Sequence, residues 1–249
     1  KVFEQFNHPI FELVERPKEA DFFLFPHDYF LTPEQPKQAQ ELASLADKYG
    51  KKIIIFGHGD PDRRIPIKNA IIFRTSQYRY KKATNEIMMP AYVEDLFGSA
   101  GLQLRHKSTK PVIGFCGWAD FENNIQKASF YIKQSFGDIR NIFSGNPVVA
   151  RRRGLWFRQK AINILRESGE VEANFIIRKS FSGHKATLKD SPEKVRKEYM
   201  DNMTGSDFIL AIKGYGNFSL RFYEALSLGR IPLLLDTDSV LPLEDVIDY

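Results

Sequence analysis

"SDFILAIKGYGNFSLRFYEALSLGRIPLLLD" occupies residues 206–236. An apolar run, Phe208–Ile212, leads into a loop that holds Gly214 and Gly216. An amphipathic run starts after Ser219 and stops at Gly229, and a second apolar run with Pro232 and three leucines follows. Strand, loop, helix, strand is the order of a parallel α/β unit. Ser219 stands where a helix N-cap is expected, and Gly229 where a helix ends. Two glycines in one loop call for a sharp turn or for the close approach of another group.

The same alternation runs outward from this stretch. "ADFFLFP" (20–26) and "KKIIIFGHGDPD" (51–62) are apolar runs that end in Pro, Gly, His and Asp. Between them, "TPEQPKQAQELASLADKYG" (32–50) predicts a helix that starts at Thr32-Pro33 and stops at Gly50. "NAIIFRTS" (69–76) predicts a further strand. "KSTKPVIGFCGWAD" (107–120) reads as a linker and then a strand, which puts a domain boundary near Pro111. Helices are predicted at 125–136, 156–168 and 191–203, and a strand at 173–180. The expected organisation is two α/β domains with parallel sheets, residues 1–110 and 111–249. Ligands of such sheets bind beyond the carboxyl ends of the strands.

Composition narrows the class. With 43% hydrophobic and 27% charged residues the chain is not of the disordered type. A formal charge of +5 suits an anionic ligand. The densest basic cluster, Arg151–Arg153, is too short for a nucleic-acid stripe and reads as a solvated loop, so nucleic acid is not an expected partner. The single cysteine, Cys116, excludes an intrachain disulfide and sits in an apolar strand, where it reads as core. No apolar stretch approaches the roughly 20 residues that cross a bilayer. The chain begins at Lys1 and stops at "EDVIDY", and is expected to be a fragment with sequence missing at one or both ends.

The loop between the last two strands is the first candidate site. A helix N-terminus and free backbone N–H groups attract anions. Lys213 and Arg221 add full charges, and an arginine grips a phosphate with two hydrogen bonds. Glu224, one turn after Arg221, is suited to ribose hydroxyls; the plainer alternative is a surface ion pair between the two. The loop matches neither the dinucleotide fingerprint nor the Walker loop. Two Asp-x-Asp patterns, Asp60/Asp62 and Asp236/Asp238, are of the kind that hold a divalent metal on a diphosphate, but no metal is expected here.

Residues 206–249 resemble the C-terminal core of the exostosin-like glycosyltransferases. The resemblance is carried in order by Ser206, Phe208, Leu210, Gly214, Ser219, Arg221, Glu224, Ala225, Gly229, Pro232, Leu241, Pro242 and Tyr249. Weaker echoes lie in "EADFFLFP", "IIIFGHGD", "VIGFCGWA" and "WFRQKAINIL". The sequence departs from the family where Cys116 replaces a frequent Ala, and it lacks the cysteines of animal members. The resemblance implies a GT-B fold, two Rossmann-like domains facing a cleft, and an inverting transfer of a hexosyl or uronosyl group. It implies a nucleotide sugar, a UDP-sugar first, as donor, and a glycan or polysaccharide as acceptor. The donor residues it implies are Lys213, Gly214, Gly216, Asn217, Ser219, Arg221 and Glu224, with Arg158 and Gly117. No cofactor is expected beyond the donor. Candidate bases stand at strand ends of the first half, Asp60 first, then His58 and Asp28, with His27 beside them. His8, His106 and His184 read as surface residues. The expected location is the cytoplasm, with peripheral association at the inner membrane face, or the Golgi lumen if a targeting segment has been removed. The alternative is a non-catalytic partner subunit or glycan-binding module with the same fold.

Overall fold

The computed structural model describes residues 11–100, 104–106, 108–143, 147–181 and 191–249. His8 and His184 lie outside them. The described residues form two four-stranded sheets, both parallel throughout.

The first sheet takes its strands in chain order: β1 (Phe22–Asp28), β2 (Lys52–Gly57), β3 (Ala70–Arg74) and β4 (Glu86–Met88). Pro26 disturbs the register between Leu24 and Asp28, which the edge position of β1 tolerates. α1 (Gln35–Lys48) joins β1 to β2 and packs its alanines inward. It starts later than Thr32-Pro33 predicts, because Glu34 takes the N-cap position and Pro36 fills the first turn. Gly50, with φ +65°, ends it as expected.

The next two crossovers, residues 58–69 and 75–85, are loops rather than α-helices. Gly59, Pro61 and Pro66 break any helix in the first. Ile65 and Ile67 from that loop enter the core beside Phe25, Ile53, Ile55 and Ile72, where a helix face would otherwise lie. β4 carries no sequence signal of its own: it is three residues long and holds a buried glutamate. A short helix, α2 (Leu96–Ala100), follows. Leu96 is buried with Met203, Ile209, Ala225 and Leu228, so this segment packs with the second sheet although it precedes Pro111.

The second sheet has the order β6-β5-β7-β8, from β5 (Val112–Trp118), β6 (Glu172–Arg178), β7 (Phe208–Ala211) and β8 (Ile231–Leu234). β5 has a neighbour on each side and is buried along almost its whole length, hence its unbroken apolar sequence. α3 (Asn124–Phe143), α4 (Val148–Arg151) and α5 (Gly154–Glu167) fill the first crossover. α6 (Pro192–Thr204) fills the second, with Ser191 as N-cap accepting from Lys194 N at 3.2 Å. α7 (Leu220–Ser227) fills the third and ends at Gly229, φ +63°. The strand order reverses between β5 and β7. Their following loops therefore diverge and leave a crevice at the carboxyl ends.

Candidate functional site

The end of β3 runs into five consecutive buried residues, Arg74, Thr75, Ser76, Gln77 and Tyr78. They are polar or charged, so each needs a partner. Arg74 pairs with Glu86 at 2.8 Å and donates to the carbonyls of Arg63 (2.9 Å) and Pro61 (2.5 Å). That pair pins the Asp60–Arg63 loop to the sheet. Thr75 Oγ1 accepts from Gly59 N at 2.9 Å. Ser76, Gln77 and Tyr78 turn to the second half of the chain. Nothing in their sequence announces this, because a polar run after a strand reads as a solvated turn.

Their partners lie in the glycine loop. Asn217 N donates to Ser76 Oγ at 2.8 Å, and Gly216 N donates to Asp60 Oδ1 at 2.9 Å. A Cβ on Gly216 would stand 2.7 Å from Asp60 Cα and 3.0 Å from Ser76 Oγ. What comes close to this glycine is therefore the first half of the chain. Gly214 N donates to Phe218 O at 3.2 Å. The Asn217 side chain is buried and fully used: it donates to Gln77 O and Thr237 O and accepts from Thr237 Oγ1 at 2.7 Å. Ser219 holds the N-cap position of α7 but its side chain makes no capping bond. Three loop amides that were expected to face an anion are thus spent within the protein.

Lys213 is also turned inward. Its ammonium donates to Tyr78 Oη (3.0 Å) and Val149 O (2.6 Å), with the rings of Tyr78 and Phe157 beside it. Burial pushes its pKa down to about 8.

Two further cations gather at the carboxyl end of β5. Arg221 donates to Cys116 O at 2.9 Å, and its guanidinium lies over the Phe115 ring at 4.9 Å. Gly117 makes this approach possible, since a Cβ there would collide with the guanidinium. Arg158 donates to Trp118 O (3.2 Å) and Lys213 O (3.1 Å). Neither arginine has a carboxylate partner among the described residues, and each has a buried Nε without a hydrogen bond. Burial, and then the charge of Arg221, bring the Arg158 pKa down to about 9, so it is still a cation at neutral pH. Two like charges sharing low-dielectric space favour an anion between or beside them.

Both arginines line a cavity of about 430 Å³ between the end of β5, α6 and the start of α7. Glu224 lines it too and accepts a short hydrogen bond from Tyr199 Oη. Arg221 and Glu224 thus hold separate partners and form no ion pair with each other. Cys116 is buried at the cavity wall beside Arg178, and burial raises its thiol pKa. A second cavity of about 270 Å³ shares Trp118, Arg158 and Phe181 with the first and adds Tyr78, Lys213 and Tyr215. Arg152 and Arg153 line it, over the rings of Trp156 (5.0 Å) and Phe130 (5.8 Å); they lie in the short loop between α4 and α5, with Arg153 exposed as expected, and that loop also forms part of the cavity wall.

Of the residues expected as bases, Asp28 gives both oxygens to backbone amides, His58 N and Phe30 N, each at 2.7 Å. It fixes the turn that carries His58. His58 is stacked on Phe56 at 5.5 Å and tilted against Tyr92, with Nδ1 buried and unpartnered. Asp60 is exposed and holds Gly216 through one oxygen. His27 is exposed on the edge strand, away from these contacts. Of the remaining acids of the Asp-x-Asp patterns, Asp62 meets Lys81 at 2.6 Å and Asp236 meets Arg79 at 3.7 Å, while Asp238 donates its amide to Asp236 Oδ1 at 2.8 Å. Among the described residues no helix is long and apolar enough to cross a membrane. No protein-family model matches the chain, and no curated protein matches it.

Proposed function

We propose that the protein is an inverting glycosyltransferase of GT-B arrangement that binds a nucleotide-diphosphate sugar in the cavity between β5, α6 and α7. One observation carries the reading. Two guanidiniums with no carboxylate partner among the described residues, Arg221 on Cys116 O and Arg158 on Trp118 O, stand at the carboxyl end of β5 and line one cavity, in the crevice where the strand order reverses. The diphosphate would lie against them and Glu224 would accept from the ribose. The acceptor hydroxyl oxygen attacks the anomeric carbon, and the bond from that carbon to the diphosphate oxygen breaks. The hydroxyl proton passes to a base, and the charge left on the diphosphate is held by the two arginines. Asp60 and His58 are the candidates for that base, because Asp28 already serves two backbone amides. A UDP-sugar is the first donor to try and a glycan the acceptor class.

A two-domain arrangement is supported by the contacts Asp60–Gly216, Ser76–Asn217 and Tyr78–Lys213, which join the carboxyl ends of the two sheets. The non-catalytic reading gains from the engagement of Asp60 and of the loop amides inside the protein.

Thermal unfolding with UDP, GDP, CMP and UDP-sugars tests the site. A ligand at about one hundred times its dissociation constant stabilises by roughly 2.7 kcal/mol. One nucleotide is expected to raise the midpoint, and Arg221→Ala to abolish that rise. No shift with any nucleotide would sink the donor site. A shift without transfer or donor hydrolysis would move the protein to the non-catalytic reading.

A further inference from the structure

α3 (Asn124–Phe143) is turned inside out. Its inner face is tied down by polar and aromatic groups. Gln134 is buried and accepts from Arg153 N at 3.2 Å, Tyr131 Oη donates to Gln159 at 2.9 Å, and Phe130 packs on Phe121. The opposite face is apolar and open. Ile125 is 81% exposed, Ile132 56%, Phe136 70% and Ile139 55%. Spacings of seven, four and three residues place these four within about 60° of the helix circumference, over about 21 Å of its length. Ala128, also exposed, falls beside them. An amphipathic helix of a water-exposed domain normally points such a stripe at the core.

Charge and area say what covers it. Lys133 is exposed and flanks the stripe about a quarter-turn round the helix, whose charged residues are Lys127, Lys133 and Arg140 against Asp138. The chain as a whole carries +5. A stable protein interface takes roughly 800 Å² from each partner, whereas four part-exposed side chains on one ridge offer about half of that. A bilayer surface accepts a single apolar ridge lying a few ångströms below the headgroups, and basic flanks favour anionic lipid. We propose that α3 docks this protein on an anionic membrane surface, with Ile125, Ile132, Phe136 and Ile139 inserted and Lys133 at headgroup level. This does not depend on the reaction proposed above.

Flotation of the full-length protein with vesicles tests it. Vesicles of phosphatidylcholine with about one-third phosphatidylglycerol are compared with phosphatidylcholine alone, for wild type and for Ile132→Ser/Phe136→Ser. Both substituted side chains are exposed, so the thermal midpoint is expected to hold and serves as the folding control. The expected result is binding to the anionic vesicles that weakens with salt and falls roughly tenfold or more in the double variant. Absence of wild-type binding, or equal binding by the double variant, overturns the proposal. Equal binding to neutral vesicles overturns its anionic part. Sedimentation velocity without lipid supplies the remaining arm: self-association that the double variant abolishes, with no vesicle binding, would make the stripe an interface between copies.

Discussion

Lys213 offers a measurement that is independent of any ligand. Its ammonium is held under the glycine loop, and burial lowers its pKa from 10.5 to about 8. Between those values the unfolded chain binds more protons than the folded one, so stability rises with pH across that window. Below about pH 8 the residue is charged in both states and the folded state bears the full cost of burying it. At 1.36 kcal/mol per pH unit that cost is about 3 kcal/mol. Lys213→Met keeps an apolar stem against the rings of Tyr78 and Phe157 and removes the charge. It also unpairs Tyr78 Oη and Val149 O, an offset that is constant over the window because burial keeps the Tyr78 phenol protonated. Arg158 and Cys116 are present in both proteins, so their titrations cancel in the difference. Urea unfolding at a series of pH values reads that difference. Wild type is expected to gain about 2 kcal/mol on the variant between pH 7 and pH 9.5. Parallel profiles would refute the reasoning, for they would mean that the two oxygens and two rings fully replace water around the ammonium.

Three further perturbations act on the contacts that build the site. Gly117→Ala places a methyl group against the Arg221 guanidinium; it is expected to cost about 1–3 kcal/mol in urea unfolding and, if the proposed donor site holds, to remove the rise in midpoint that a nucleotide gives. Gly216→Ala meets Asp60 Cα, a backbone atom that cannot swing away, and should lower stability by about 1–3 kcal/mol by chemical unfolding. Glu86→Ala leaves the Arg74 guanidinium buried without a counter-charge; a loss of about 3–5 kcal/mol is expected, and a loss below about 1 kcal/mol would show that the Pro61 and Arg63 carbonyls suffice.

The sheets were legible in the sequence because their strands are apolar runs bounded by glycine, proline and cap residues. β5, α6 and α7 all follow that rule, with Ser191 and Gly229 at the ends where local chemistry requires them. β4 was hidden because it is short and its buried glutamate is neutralised by an arginine twelve residues earlier. The crossover loops were hidden for a related reason: Ile65 and Ile67 do a helix's covering work without helical periodicity. At the site, Arg221 and Glu224 were readable as a pair of spaced functional groups. Their separate partners, Cys116 O and Tyr199, come from elsewhere in the chain and follow only from the fold.

The glycine loop shows where a local reading stops. Glycine reports that something approaches the backbone, and phosphate is one answer among several. Here Gly216 admits Asp60 and Ser76, so the loop joins the two sheets, and the charges left for an anion are on side chains beyond it. The two roles are mechanically linked. The Lys213 carbonyl accepts from Arg158, while the Lys213 ammonium holds Tyr78 at the end of the first sheet. A displacement of the first sheet against the second must therefore pull on the same residue that orients one of the two guanidiniums. If a nucleotide diphosphate binds Arg158 as proposed, its seating and the angle between the sheets share one short lever, and Tyr78→Phe, which removes the hydroxyl that Lys213 holds, should lower the nucleotide-induced rise in thermal midpoint.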